Sequence, residues 1–450
     1  MIATRGSSST CSGTLRNFAR MWILASIAWG LSAAALLAAD TLTRGPYLQL
    51  GTPRSMIIRW RTDPATKGQV QYGTNLASIT NLASHAGVLT DHVVQLSKLK
   101  PATRYFYRVG SPTNKWLTTP SEMYSFVTPP PVGPARPVRF WALGDPGTAN
   151  TNQLAVREGF YKWAGARTPD LWLMLGDNAY ATGTDKEYGK AVFDLYATEH
   201  RRNPLWPTLG NHDAFSANSE TESGVYYDVF TLPTRGQAGG IPSGTEAYYS
   251  FDYANIHFIC LDSQDTDRST NGPMATWLKT DLASTARDWI VCFFHHPPYS
   301  KGTHDSDKRN DSGGRLLEMR ENFVPILEQG GVDLVLTGHS HDYERTFLLD
   351  GHYGSSTNLT RAMIRNGGNG RDDGDGAYAK PVGTVSHAGA VYIVTGSAGQ
   401  TSGGKLNHPA MYVSLNKLGS VAVDVDGSEM RVTYVGTLGQ VRDYFTLRKK

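Results

Sequence analysis

The segment Leu171-Trp172-Leu173-Met174-Leu175-Gly176-Asp177-Asn178-Ala179-Tyr180 puts a carboxylate and a phenol directly behind an apolar run. A short apolar run closed by glycine predicts a buried strand. Asp177, where that strand ends, is placed to hold a metal ion. Tyr180, three residues on, adds a phenolate if the chain turns back to the same point. Hard oxygen donors of this kind suit a highly charged ion such as Fe(III).

Outward from this segment the same arrangement recurs. Val138–Leu143 leads into Gly144-Asp145-Pro146-Gly147, and a later turn carries Gly210-Asn211-His212-Asp213. The run at 289–294 leads into His295-His296-Pro297-Pro298-Tyr299. The run at 332–337 leads into Gly338-His339-Ser340-His341-Asp342-Tyr343-Glu344-Arg345. Between the strand candidates lie stretches of helical spacing at 153–164, 190–199, 273–283 and 315–329. That alternation predicts a layered α/β domain over 138–450, with a mixed sheet or sandwich. In such folds sites gather outside the carboxyl ends of strands.

Each piece alone also has a plain structural reading. An Asp after a strand is most often a cap or turn residue. His-x-His on a strand brings two imidazoles to one face, but the pair can equally be structural. Their joint occurrence in one domain is what makes the signal specific. His296, beside His295, either contacts substrate or points into the fold. Tyr343, Glu344 and Arg345 are expected to brace the His339–His341 turn. His85, His92, His387 and His408 read as surface residues, and Gly351–Asp375 as a long loop.

Length and composition set the frame. The 450 residues are 40% hydrophobic, a globular composition long enough for two or three domains. Arg5, Arg16 and Arg20 precede an uncharged apolar run from Met21 to Ala39. This predicts a signal peptide at 1–39 and a secreted, periplasmic or cell-surface protein. An uncleaved N-terminal anchor is the alternative. The formal net charge of +3 equals those three arginines, so the remainder is neutral. Neither nucleic acid nor an anionic membrane surface is expected as partner. Cys260 and Cys292 lie in strand-like runs and are either joined or two buried thiols.

Residues 44–129 read as a β domain, with strand candidates at 56–61, 68–72 and 105–109. Leu99, Pro101, Thr103 and Tyr105 form an L-x-P-x-T-x-Y pattern. It resembles the tyrosine corner of fibronectin type III sandwiches. A proline-rich linker at 130–137 separates this part from the rest.

Taken in order, the polar clusters GDxG, GDxxY, GNHD, H-x-P-x-Y and GHxHxYER resemble the purple acid phosphatases, within the calcineurin-like metallophosphoesterases. The resemblance covers about residue 137 to the C-terminus, and the β domain resembles the N-terminal domain of the larger, plant-type members. Many metallophosphoesterases carry Asp-x-His in the first cluster. This chain has Gly147 in place of that His and has Tyr180, where the purple acid phosphatases place a phenolate ligand. The resemblance implies a metallophosphoesterase α/β sandwich behind a small all-β, fibronectin type III-like sandwich. It implies two metal positions: Asp145, Tyr180 and His341 on Fe(III), and Asn211, His295 and His339 on a divalent Zn, Fe or Mn ion. Asp177 would bridge them. His212, His304 and, less directly, His296 would face the substrate. Where plant-type members often have adjacent histidines, this chain has His304-Asp305, which puts the general acid in question. The implied activity is hydrolysis of small phosphomonoesters by direct attack of metal-activated hydroxide. A phosphodiesterase or nucleotide pyrophosphatase using the same metals is the alternative, and outside enzymes a surface-binding protein with a degenerate site.

Overall fold

The computed structural model describes residues 40–112 and 116–450. The expected signal segment, 1–39, lies outside the described residues. Among those described, no helix is long and apolar enough to cross a membrane.

The N-terminal part is all-β. Thr41–Thr52, Ser55–Gly73, Asn81–Leu96, Arg104–Gly110 and Ser125–Val127 hydrogen-bond as one five-stranded antiparallel sheet. The long Ser55–Gly73 strand pairs with Thr41–Thr52 along its first half and with Arg104–Gly110 along its second. Leu48, Ile58, Trp60, Val70, Tyr107 and Phe126 from both halves share one core, so the sheet folds over on itself. The segments 56–61 and 68–72, expected as two strands, are therefore one. The Tyr105 hydroxyl accepts the Lys100 N–H at 2.9 Å, closing the expected tyrosine corner. His85 and His92 are not the isolated surface residues expected. Their rings meet at 2.8 Å, and the buried His92 stacks on Trp60 and bonds Thr62.

Two seven-stranded mixed sheets follow. The first runs Tyr378–Lys380, Val441–Lys449, Glu429–Gly436, Gly419–Asp426, Val138–Leu143, Leu171–Met174, Leu205–Pro207, its last three strands parallel. The second runs Tyr249–Tyr253, Ile256–Cys260, Trp289–Phe294, Leu334–Thr337, Val391–Thr395, Tyr343–Thr346, Met411–Leu415, with four parallel strands in its middle. The facing sides are apolar and interlock through aromatic pairs. Trp206 stacks on Phe251 at 3.8 Å, and Phe140 meets Phe258 edge-on at 5.1 Å. Helix Thr151–Ala164 covers the outside of the first sheet, with Phe160 stacked on Trp141 at 4.1 Å. Helices Pro273–Ser284 and Val324–Gln329 cover the second through Leu278 and Leu327.

Cys260 and Cys292 lie on adjacent parallel strands, yet Cys260 pairs with Phe293 and Cys292 with Ile259. The one-residue offset sends the thiols to opposite faces, and both are free and buried. Gly351–Asp375 is not wholly a loop, because Ile364–Asn366 pairs with Leu348–Leu349. His408 is buried against expectation, whereas His387 stays partly exposed on Asp350.

The parallel strands of both sheets end at the same edge of the sandwich. Leu143, Met174 and Pro207 close three strands of the first sheet, and Phe294 and Thr337 close two of the second. The residues immediately beyond them form the site.

Candidate metal centre

Beyond each strand the chain turns sharply. Asp145, Asp177 and His339 take φ of 55°, 51° and 67°, left-handed values that re-aim their side chains across the strand ends. Two glycines make the close approach possible. A Cβ on Gly210 would stand 2.0 Å from the Asp177 amide nitrogen, and one on Gly338 would stand 2.4 Å from Asp145 Oδ2.

The structure brings all seven expected ligands together in two adjoining groups. In the first, the Tyr180 hydroxyl lies 3.1 Å from Asp145 Oδ1, 2.9 Å from Asp177 Oδ2 and 3.2 Å from His341 Nε2. In the second, His295 Nε2 lies 3.0 Å from Asn211 Oδ1 and 3.1 Å from His339 Nδ1. Asp177 reaches both, since its Oδ1 stands 3.4 Å from His295 Nε2. Asp145 and Asp177 are fully buried, and ligand atoms of Asp145, Asp177 and His341 converge closely enough to share one ion. Those of His295, His339 and His296 converge in the same way.

Protons alone satisfy this arrangement poorly. One phenolic proton faces two carboxylates around Tyr180, and His295 Nε2 faces the oxygens of Asn211 and Asp177. Lone pairs converging on two points, with carboxylates and phenol at one and imidazoles and amide at the other, fit two cations of different hardness. The charge states agree. Burial, then the Asp145 and Asp177 charges, holds the Tyr180 phenol well above its usual range. Burial raises Asp177, with the His295 charge opposing it. Burial also pushes His339 well down, helped by His296 and His295 beside it. A positive ion at these points reverses the penalties on Tyr180 and Asp177, and the neutral imidazole that burial favours at His339 is the form that binds one.

Around the ligands the loops are pinned by buried bonds. His295 donates from Nδ1 to the Leu175 carbonyl at 2.8 Å. Asp213 accepts from the Gly210 amide and from Tyr188 and Asn178, and burial pushes its carboxyl up to about 7. Tyr343 and Arg345 converge on Asp443, and Glu344 accepts from Ser300, so this trio braces the turn as expected.

A cavity of about 380 Å³ opens beside the second group, with Asn211, His339, His304 and His296 in its wall. His212 and His304 are fixed at Nδ1, the first by the Ala181 carbonyl at 2.6 Å and the second by Asp311 at 2.7 Å. Each ring therefore keeps Nε2 for a ligand. His296 is buried in the fold, with its Nδ1 bonded to Ser263 at 2.9 Å and its ring 4.3 Å from that of His339, and it also borders the cavity. Asp305 is turned away onto Lys301 at 2.8 Å, so it does not stand in for a second histidine. The turn Asp311-Ser312-Gly313-Gly314-Arg315 was not anticipated. Asp311 orients His304, Ser312 bonds His339 Nε2 at 2.6 Å, and Arg315 lines the cavity. Its double glycine was the available signal, because Ser312, Gly313 and Gly314 are all left-handed.

Comparison with known proteins points to one family. The calcineurin-like phosphoesterase family matches residues 138–343, and the purple acid phosphatase N-terminal domain matches residues 43–128. A probable purple acid phosphatase of Arabidopsis thaliana is 29% identical over 323 residues, 66% of this chain and 68% of that protein. Purple acid phosphatase 15 of the same plant is 26% identical over 358 residues, 73% of this chain and 62% of that protein. The chain thus spans about two thirds of the length of these relatives. The structure of a purple acid phosphatase from yellow lupin (Lupinus luteus) seeds shares the fold, with a TM-score of 0.68 at 19% identity. That match covers 92% of this chain and 75% of the lupin chain.

Proposed function

Since the chain belongs to the calcineurin-like phosphoesterases of the purple acid phosphatase type, we propose that it is an exported acid phosphatase acting on small phosphomonoesters. Asp145, Tyr180 and His341 would hold Fe(III), Asn211, His295 and His339 would hold a divalent Zn, Fe or Mn ion, and Asp177 would be shared between the two groups. Bound there, the ions supply Lewis acidity toward the phosphoryl oxygens and lower the pKa of water. The observation that carries the reading is the Tyr180 hydroxyl, set within 3.2 Å of two carboxylates and an imidazole. Export rests on the N-terminal run of arginines and apolar residues.

The chain's own groups divide the remaining work. His212 Nε2, 3.9 Å from Asp177 Oδ2, is placed to donate to a phosphoryl oxygen above the carboxylate. His304, stacked on His339 at 3.9 Å, presents Nε2 to the cavity on the other side. When that nitrogen carries a proton it can hand it to the departing alkoxide. Asp311 holds the ring at Nδ1 so that this proton points into the cavity.

The test compares purified, metal-loaded protein on a monoester and a diester of the same alcohol at pH 5. Monoester turnover should dominate, and a strong preference for the diester would make the protein a phosphodiesterase instead.

A further inference from the structure

Arg315 is a cation that the fold has fixed without a direct ion pair among the described residues. Its Nε and Nη1 donate to the carbonyls of Gln264 and Ser312, each at 2.8 Å, which locks the guanidinium plane and leaves Nη2 unused. Glu318, on the same helix, is taken by Arg268 at 2.7 Å. Asp265 also lines the cavity, but its carboxylate faces the Gln264 amide at 3.3 Å and the Ser219 N–H at 3.4 Å. Among the described residues Arg315 forms no ion pair. Asp265, Glu318 and Asp262 act on this half-buried guanidinium only from beyond ion-pair distance, and burial and the neighbouring Arg268 outweigh them. Being rigid, the guanidinium is also preorganised for a planar anion.

Its place gives that anion a context. Arg315 lines the same cavity as Asn211, His304 and His339. Ser312, whose carbonyl holds the guanidinium, bonds His339 through its hydroxyl at 2.6 Å. An anion on Arg315 would therefore belong to the molecule whose phosphoryl group sits at the metal centre. The cavity's 380 Å³ suits a small metabolite.

We infer that Arg315 reads a second anionic group on the leaving-group side. The cavity then selects small phosphomonoesters that also carry a carboxylate or a further phosphate. This rests on the phosphatase reading above and names its substrate class. Arg315 acts on selection, since the proton and phosphoryl contacts belong to His212 and His304.

The test measures kcat/KM of the metal-loaded protein on two matched pairs. These are glycerol 3-phosphate with 3-phosphoglycerate, and fructose 6-phosphate with fructose 1,6-bisphosphate. In at least one pair the native protein should favour the doubly charged ester. Arg315→Gln should lower kcat/KM for that ester on the order of tenfold to a hundredfold, through KM, and leave its partner within about twofold. Arg315→Lys should restore part of the preference. Equal losses for both members of a pair, or no change in either pair, would overturn the inference. Calorimetric binding of 3-phosphoglycerate and fructose 1,6-bisphosphate separates this from failure of the phosphatase reading. Binding weakened by Arg315→Gln, with no turnover in either protein, would remove the phosphatase and keep the subsite. Binding of both unchanged by Arg315→Gln would remove the subsite.

Discussion

His295 and Leu175 come from different sheets and are joined by a 2.8 Å bond from imidazole Nδ1 to a backbone carbonyl. A carbonyl can only accept, so Nδ1 carries a proton and Nε2 is the nitrogen turned toward the metal centre. That nitrogen faces Asn211 Oδ1, Asp177 Oδ1 and His339 Nδ1. One hydrogen bond thus ties the two layers and places a proton on Nδ1 of the proposed donor for the divalent ion. His295→Ala should lose that ion selectively, seen as about one metal fewer per chain by elemental analysis. Turnover should fall on the order of a hundredfold or more, with the far-ultraviolet dichroism unchanged. Full occupancy of both metals in the variant would contradict the assignment.

Tyr180 makes the other group distinctive. Its phenol is held protonated by burial and by two carboxylates, a cost that only a strongly Lewis-acidic ion would repay. The metal-loaded protein should therefore show a visible phenolate-to-Fe(III) absorption band. Tyr180→Phe should abolish the band while keeping the fold. A colourless, fully active protein containing only divalent ions would sink the Fe(III) assignment.

His304 touches no expected ligand except through its stack on His339, and Asp311 fixes it from behind. His304→Ala should keep both metals and reduce kcat on the order of a hundredfold or more, as loss of a proton donor does. Asp311→Ala should reduce kcat by a smaller factor, about tenfold, because the ring remains but is free to turn. Metal loss equal to that of an Asp177→Asn variant would show both residues to be structural.

The residues that converge at the site were legible where they follow an apolar run, because burial of the run fixes where its polar successor emerges. Asp145, Asp177, Asn211, His295 and His339 all follow this logic. Asp311, Ser312 and Arg315 do not, since they lie on a turn before a helix and reach the site only because three successive left-handed residues bend it there. The N-terminal sheet was half visible for a related reason. Its strand Asn81–Leu96 leaves Leu82 and Val88 about 60% exposed, so burial imposes no clean alternation there. The histidines at 92 and 408 were misplaced because a lone imidazole in a polar stretch carries no sign of what folds over it. Cys260 and Cys292 needed the strand register, which a one-residue shift would have reversed.

A pH-dependent part of the stability lies away from the metal centre, at His257. Its ring bonds Asp252 at 2.7 Å through Nδ1 and Asp281 at 2.8 Å through Nε2. Burial opposes the charged ring, but the two carboxylates outweigh it and hold His257 up to about 9. The folded value lies above the ordinary 6.5, so the charged ring favours the folded state. That contribution is full below about pH 6.5 and fades as pH rises through 9, by about 3 kcal/mol in all. Denaturant melts of the native protein should lose roughly that much stability between pH 6 and 10. His257→Gln, which keeps hydrogen-bonding capacity without the charge, should be less stable at pH 6 and flatter across the range. A native curve parallel to that of the variant would mean the ring is neutral between its two aspartates.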